Sequence, residues 1–456
     1  MTSTAGAPLT LFANSLGLNE FQFGVLAALP FLASLLSLPA SLLTEHTGQR
    51  KLIFLIALYA NRLMWFPIAL VPVMLLTWQG VGGRQVAVVA FLALVLAMHA
   101  GQAMGSPAWV SWMADVVPSR VRGRYFANRR RLGTISAIPA AIFVGWIVDN
   151  YAGAGSSNDD VLRVCGYIFM VASVIGLGDI ALFHFVTDVP RAPRRGTHLL
   201  HALSGPLRNK QFLWFAGFVG TLTFAVSFMG QFVTLYVIRE AQVSGKGTQL
   251  MMMVAPLVAT LLSIRLWGKA LDKMGRKPVL KLATLGFAPV AVGWCFMHAG
   301  NIWLGYVLSI TGAVFWAGVE LANFNFVMEM TGGNDDEKSQ ANGSAFVAVN
   351  AVIVNVAGCM GGLASGAIAE LMKDVHWQPI AFLRAITYYD VLFILSGVLR
   401  LLAVLIFIPH MHEPTAKRGR EALRFISVNV YSNMYNLVLQ PMRMIRGVPK
   451  PPKRRD

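Results

Sequence analysis

The sequence predicts an all-α integral membrane protein of twelve spans arranged as two similar halves. Three observations predict it. Of 456 residues, 56% are hydrophobic and only 13% charged, whereas soluble domains carry about 25% charged residues. The apolar residues fall in long runs, and about 20 of them suffice for a helix to cross a bilayer. Lysine and arginine collect in alternate loops, as they do in the cytoplasmic loops of polytopic proteins.

The first run, 4–17, is short, rising about 21 Å as a helix against a hydrocarbon core of about 30 Å. Either this helix is clipped or its start lies upstream. MTSTAGAPLTLFANSLGLNE (1–20) lacks the basic leader and small-residue cleavage site of a secretory signal, so it is read as part of the mature chain. Runs 21–43, 51–78, 85–117, 132–151 and 161–187 complete the first half, and 211–239, 247–267, 279–299, 302–329, 343–372 and 380–409 make the second. The expected domains are thus 1–189, a basic linker at 190–210, 211–410, and a basic tail at 411–456, which is either an amphipathic helix on the inner leaflet or disordered.

With both termini inside, most of the 38 lysines and arginines lie on the inner side: Arg50 and Lys51, the arginines of PSRVRGRYFANRRR (118–131), the linker, residues 269–281 and the tail. Outer ends hold Arg84, Arg163, Arg239, Lys246 and Lys373, and DNYAGAGSSNDD (149–160) is acidic. The net charge of +17 therefore reads as membrane orientation and contact with lipids rather than nucleic-acid binding. Cys165, Cys295 and Cys359 each sit inside an apolar run, which implies neither disulfides nor a metal site. No cofactor, metal or catalytic residue is expected, and no Walker sequence supports an ATP-driven pump.

Internal repeats support two halves, a common feature of transporter folds. Leu162-Arg163-x3-Tyr167-x8-Gly176 recurs as Leu383-Arg384-x3-Tyr388-x8-Gly397, and Glu45-x2-Gly48 as Asp272-x2-Gly275, with Arg50-Lys51 one place later than Arg276-Lys277.

In WGKALDKMGRKPVL (267–280), Gly268-x3-Asp272-x2-Gly275-Arg276-Lys277 follows the eighth run and resembles the signature of the major facilitator superfamily. A degenerate copy, SLLTEHTGQRK (41–51), follows the second run with Ser41 in place of glycine, Glu45 in place of aspartate, then Gly48 and Arg50. Asp115-x2-Pro118-x3-Arg122-Gly123-Arg124 resembles the acidic-proline-arginine-glycine loop of the same family; an ordinary basic inner loop is the alternative. Physically, Gly268 would let helices approach, Asp272 would meet a helix N-terminus or an arginine, and Gly275 would turn the chain. The basic pair would anchor at anionic headgroups. Together they read as a charged latch, the plainer alternative being a short basic loop.

The resemblance implies two six-helix bundles around a central cavity, the first helix truncated, with the first, fourth, seventh and tenth helices lining the cavity. That selects His99 and Gln102, Gln231, and Glu320 with Asn323 as path candidates; Trp316 shares a helix face with Glu320. Charges within spans are costly and usually functional or paired. By depth, Arg62, His99 and Asp390 fall near mid-membrane, and Glu320, Asp115, Asp179 and Arg265 nearer the inner side. Glu320 has a structural ion pair, with Arg265 or a loop arginine, as its alternative role, and His99 a packing role. Arg62 and Asp390 read as links between helices, and Gly358-x2-Gly361-Gly362-x3-Gly366 as helix packing. The family's antiporter glycine-proline signature is absent from LGTISAIPAAIFVGW (132–146).

The expected function is a monomeric secondary transporter in the bacterial inner membrane, moving a small solute by alternating access with the proton as candidate coupling ion. Two alternatives stand beside it: an enzyme on lipid-linked substrates, for which His184, Asp188 and Asp179 are the nearest group, and a sensor or scaffold that has lost transport.

Overall fold

The computed structural model describes residues 4, 6–77, 81–153, 155–189, 205–331, 337–375, 386–411 and 413. The tail, most of the linker and the Leu383-Arg384 repeat lie outside them. Among the described residues, eleven helical stretches are long and apolar enough to cross a membrane; the short α1 (Ala7–Leu16) precedes them. It ends on Gly17 at φ 86°, and the Arg84 guanidinium occupies the place where a β-carbon there would project.

Several runs are broken helices, and proline explains where. The second is α2 (Glu20–Ser34) and α3 (Ser37–Thr47); the third is α4 (Arg50–Leu63) and α5 (Trp65–Thr77). A proline ring clashes with the carbonyl four residues earlier, so Pro39 and Pro67 disturb Leu35 and Leu63, at the two breaks. The eighth comprises α10 (Gly245–Gln249), a π turn (Leu250–Val254) and α11 (Ala255–Met274), the widened turn falling just before Pro256. The other spans are α6 (Val81–Val116), α7 (Ser119–Tyr151), α8 (Asn158–Leu182), α9 (Lys210–Arg239), α12 (Arg276–Gly293), α13 (Ile302–Thr331), α14 (Glu337–Met372) and α15 (Tyr388–Phe407). Within α9, Gly230 leaves helical geometry (φ 7°, ψ −112°).

Three boundaries differ from expectation. α7 starts at Ser119, so the arginine segment expected as a loop is helical. Arginine is a good helix former, and at 33 residues the rod is about 50 Å long, with Arg120 to Leu132 mostly exposed. α11 continues to Met274, leaving Gly275 (φ 89°) as the turn. α15 begins at Tyr388 rather than 380, which puts Asp390 in its first turn instead of mid-membrane. There its carboxylate accepts from Thr387 N (2.9 Å) and Oγ1 (3.2 Å), as Asp160 does from Ser157 at the start of α8.

Each half packs alike: α4 lies on α6 and α5 on α8, while α12 lies on α13 and α15. The halves meet through α2 with α14, α7 with α10, and α1 with α9. One core cluster takes side chains from both halves, including Phe12, Phe23, Phe91, Phe228, Phe232 and Tyr236. Toward the opposite end the core divides. Phe54, Trp112 and Ile180 belong to a cluster of the first half alone, and Phe215, Trp267 and Ile408 to one of the second alone. The halves are therefore joined at the end bearing residues 17–20 and parted at the end bearing Arg50 and Arg276.

Candidate functional site

The joined end is held by close backbone approach and by polar contacts across the halves. A β-carbon on Gly24 would lie 2.3 Å from the Gly366 α-carbon, and one on Gly362 2.9 Å from Ala28 N; only glycine permits that proximity. Asn19 caps α2 by accepting from Gln22 N, which sets Glu20 in the first turn facing Arg239 across the seam. Arg239 donates to Glu20 (2.8 Å) and Asn14 (2.6 Å). The Lys246 N–H, at the start of α10, donates to Asp149 (3.1 Å), and Phe21 N–H to Glu370 (3.3 Å). A cavity of about 730 Å³ lies here among α1, α7 and α10, lined by Asn14, Ser15, Asp149, Gln242 and Thr248 but by none of the expected path residues.

At the parted end each half carries the same lock. Arg50, with its side chain 2% exposed, pairs with Asp115 (2.6 Å) and donates to the carbonyls of Ser111 and Val189 (both 2.9 Å). Lys51 Nζ donates to the carbonyls of His184 (3.0 Å) and Val186 (2.7 Å), just past α8. In the second half Arg276 pairs with Glu329 and with Glu413 (3.0 Å), and Lys277 Nζ donates to the carbonyls of Pro409 and Met411, just past α15. Glu413 also accepts the N–H groups of Arg276 (2.9 Å) and Lys277 (2.7 Å), a carboxylate on a helix N-terminus. Arg122 caps the end of α6 through the carbonyls of Ala114 and Val117.

The basic pairs thus grip neighbouring helices rather than reaching only for headgroups. The close approach expected at Gly268 is absent, since nothing lies within 4 Å of where its β-carbon would sit. Gly48 (φ 68°) and Gly275 (φ 89°) do turn the chain. Glu45 and Asp272 are exposed and make no ion pair among the described residues.

The path candidates form two separate groups. On α6, His99 is half-buried and Gln102 donates to Ser106 Oγ (3.2 Å). On α13, Trp316 packs against Phe287 (5.5 Å), Glu320 is exposed, and Asn323 Oδ1 is buried without a hydrogen-bond partner among the described residues. Helices α6 and α13 do not pack closely together. Gln231 serves elsewhere, accepting from Thr10 Oγ1 (2.8 Å) to tie α9 to α1. The Glu320–Arg265 pair does not form, and Arg62 instead bonds Asn61 Oδ1 (2.6 Å). His184 lies against the Tyr59 hydroxyl (3.1 Å), with no carboxylate paired to it among the described residues.

A search confined to the expected cavity-lining helices passes over Arg400, although a cation inside an apolar run is itself a signal. It is 2% exposed, donates to the Phe287 carbonyl (3.1 Å) and lies over the Phe287 ring at 4.0 Å, behind Trp316. Glu20 and Glu413 were also missed, each standing just outside an apolar run.

Residues 1–362 match the family model described as Major Facilitator Superfamily. Similar solved structures include a mutant of the nucleoside transporter NupG, 15% identical over 90% of this chain and 96% of that one, with a TM-score of 0.63. The xylose transporter XylE from E. coli, inward open, is 16% identical over 92% and 98%, with a TM-score of 0.57. A bacterial homolog to the human lysosomal transporter Spinster, inward-facing and occupied, is 13% identical over 91% and 97%, with a TM-score of 0.64. Such identities establish likeness of fold. Comparison with curated protein sequences gives no match.

Proposed function

The chain belongs to the Major Facilitator Superfamily, and from that membership we propose that it is a secondary transporter carrying a small solute by alternating access. One observation carries the reading: the core is shared by both halves at one end and divided between them at the other. A cycle would exchange those roles, breaking Glu20–Arg239 and the glycine seam while closing the arginine-rich end. Glu45 and Asp272, unpaired here, are then available to meet helix N-termini of the opposite half.

The arginine-rich end is assigned to the cytoplasm by its charge, in a bacterial inner membrane with both termini inside and the protein acting as a monomer. The solute is small, polar and uncharged, in keeping with the amide groups of Gln102 and Asn323 and the partly exposed ring of Trp316. Relatives in fold are described as nucleoside and xylose transporters, one of them as a proton symporter. Glu320 is the proposed proton carrier, supported by its position in a span, its exposure and its lack of an ion pair among the described residues. In proteoliposomes, Glu320→Gln should abolish proton-driven uptake while sparing counterflow; uptake equal to wild type removes Glu320 from the mechanism.

A further inference from the structure

On the parted side a cleft of about 300 Å³ runs between α7 and α11. Arg130 and Thr134, one helical turn apart, form one wall, and Met253, Leu257, Leu261 and Ile264 form an apolar stripe on the other. Helix rise fixes the depth. Measured from the joined end at 1.5 Å per residue, Arg130 lies about 31 Å down α7 from Tyr151, Ile264 about 29 Å from Gly245, and Met253 about 12 Å. With a hydrocarbon core of about 30 Å, the stripe spans the leaflet on the arginine-rich side, and Arg130, which lines the cleft, stands at its headgroups; Arg131 and Arg265 follow Arg130 and Ile264 in sequence. All three arginines are exposed. No carboxylate is among the residues lining the cleft; on α11 the nearest is Asp272, about 12 Å of helix rise past Ile264.

We infer that this cleft is a binding site for an anionic phospholipid of that leaflet, with one acyl chain along the Met253–Ile264 stripe and the phosphate on Arg130. Because its walls belong to different halves, the lipid favours the conformation in which they are parted and must leave before they close. The inference rests on the orientation and cycle proposed above, but lipid binding can be measured without solute or gradient, so failure of the transport reading would show separately.

Native mass spectrometry of the full chain, titrated with phosphatidylglycerol or phosphatidylcholine, tests it. Phosphatidylglycerol should be preferred; Arg130→Gln should weaken its binding about five-fold, and Arg130→Lys should retain it. Thr134→Trp, which fills the cleft, should weaken both lipids. Phosphatidylglycerol carrying a photoreactive group at its chain end should label residues 253–257, whereas soluble glycerol phosphate should not compete. Equal binding of the two lipids, wild-type binding by both Arg130→Gln and Thr134→Trp, or labelling confined to other helices would each overturn the site.

Discussion

Arg50 is almost wholly buried, and its ion-pair partner Asp115 is 39% exposed. Asp115→Asn would leave a desolvated guanidinium with carbonyl and hydroxyl acceptors. For a buried pair that loss is several kcal/mol, but exposure of the carboxylate reduces it to about 1–2 kcal/mol. The variant should melt below wild type in a detergent thermal-shift assay, whereas Arg50→Met with Asp115→Leu should recover much of the loss. Unchanged melting of Asp115→Asn would mean that the pair contributes no stability. Arg50 and Asp115 were both legible as motif residues, but their meeting was not, because 65 positions separate them and only folding sets them together. Glu413 was illegible for a different reason: it lies beyond the last apolar run, where hydropathy says nothing about which helix a carboxylate will cap.

Among the elements, hydropathy located the spans well and their ends poorly. The helix hydrogen-bond ladder does not stop where the bilayer stops, so α7 and α11 run past their apolar stretches into charged sequence that is itself helix-forming. Breaks within spans were legible in principle, since Pro39, Pro67 and Pro256 each disturb the turn before them. The sequence marks the glycines of α14 as packing residues, but that Gly358, Gly362 and Gly366 meet α2 of the other half while Gly361 meets α9 is not readable from one helix. Gly24→Ala would push a methyl group into the Gly366 backbone at a cost of about 1–3 kcal/mol, chiefly to the joined conformation. A cysteine placed at Gln22 should then react faster with a water-soluble maleimide; identical labelling rates in the two backgrounds would show that the seam does not set the opening of that end.

For the whole molecule, paired motifs made two halves legible, whereas nothing in the residues told which end would be joined, because one sequence must serve both states. Spin labels at His46 and Lys269, on the arginine-rich ends of opposite halves, should draw together when solute and a gradient drive the cycle. Labels at Asn158 and Gln242, on the joined end, should separate in step. Two distance distributions that stay fixed, or that move in the same sense, would rule out rocking.

One further consequence follows from the length of α7. Its Tyr151 end is pinned to the other half where Gly145 abuts Lys246 and Asp149 accepts the Lys246 N–H, while its arginine-bearing end packs on α6 of its own half, Phe126 and Arg129 against Trp109 and Arg122 on the carbonyls of Ala114 and Val117. The rod is therefore a lever with its fulcrum at one tip. A rotation of about 15°, of the size seen in other rigid-body switches, would sweep the far tip of a 50 Å arm through about 13 Å. Gearing of this kind turns a small pivot on one face of the membrane into a large stroke on the other.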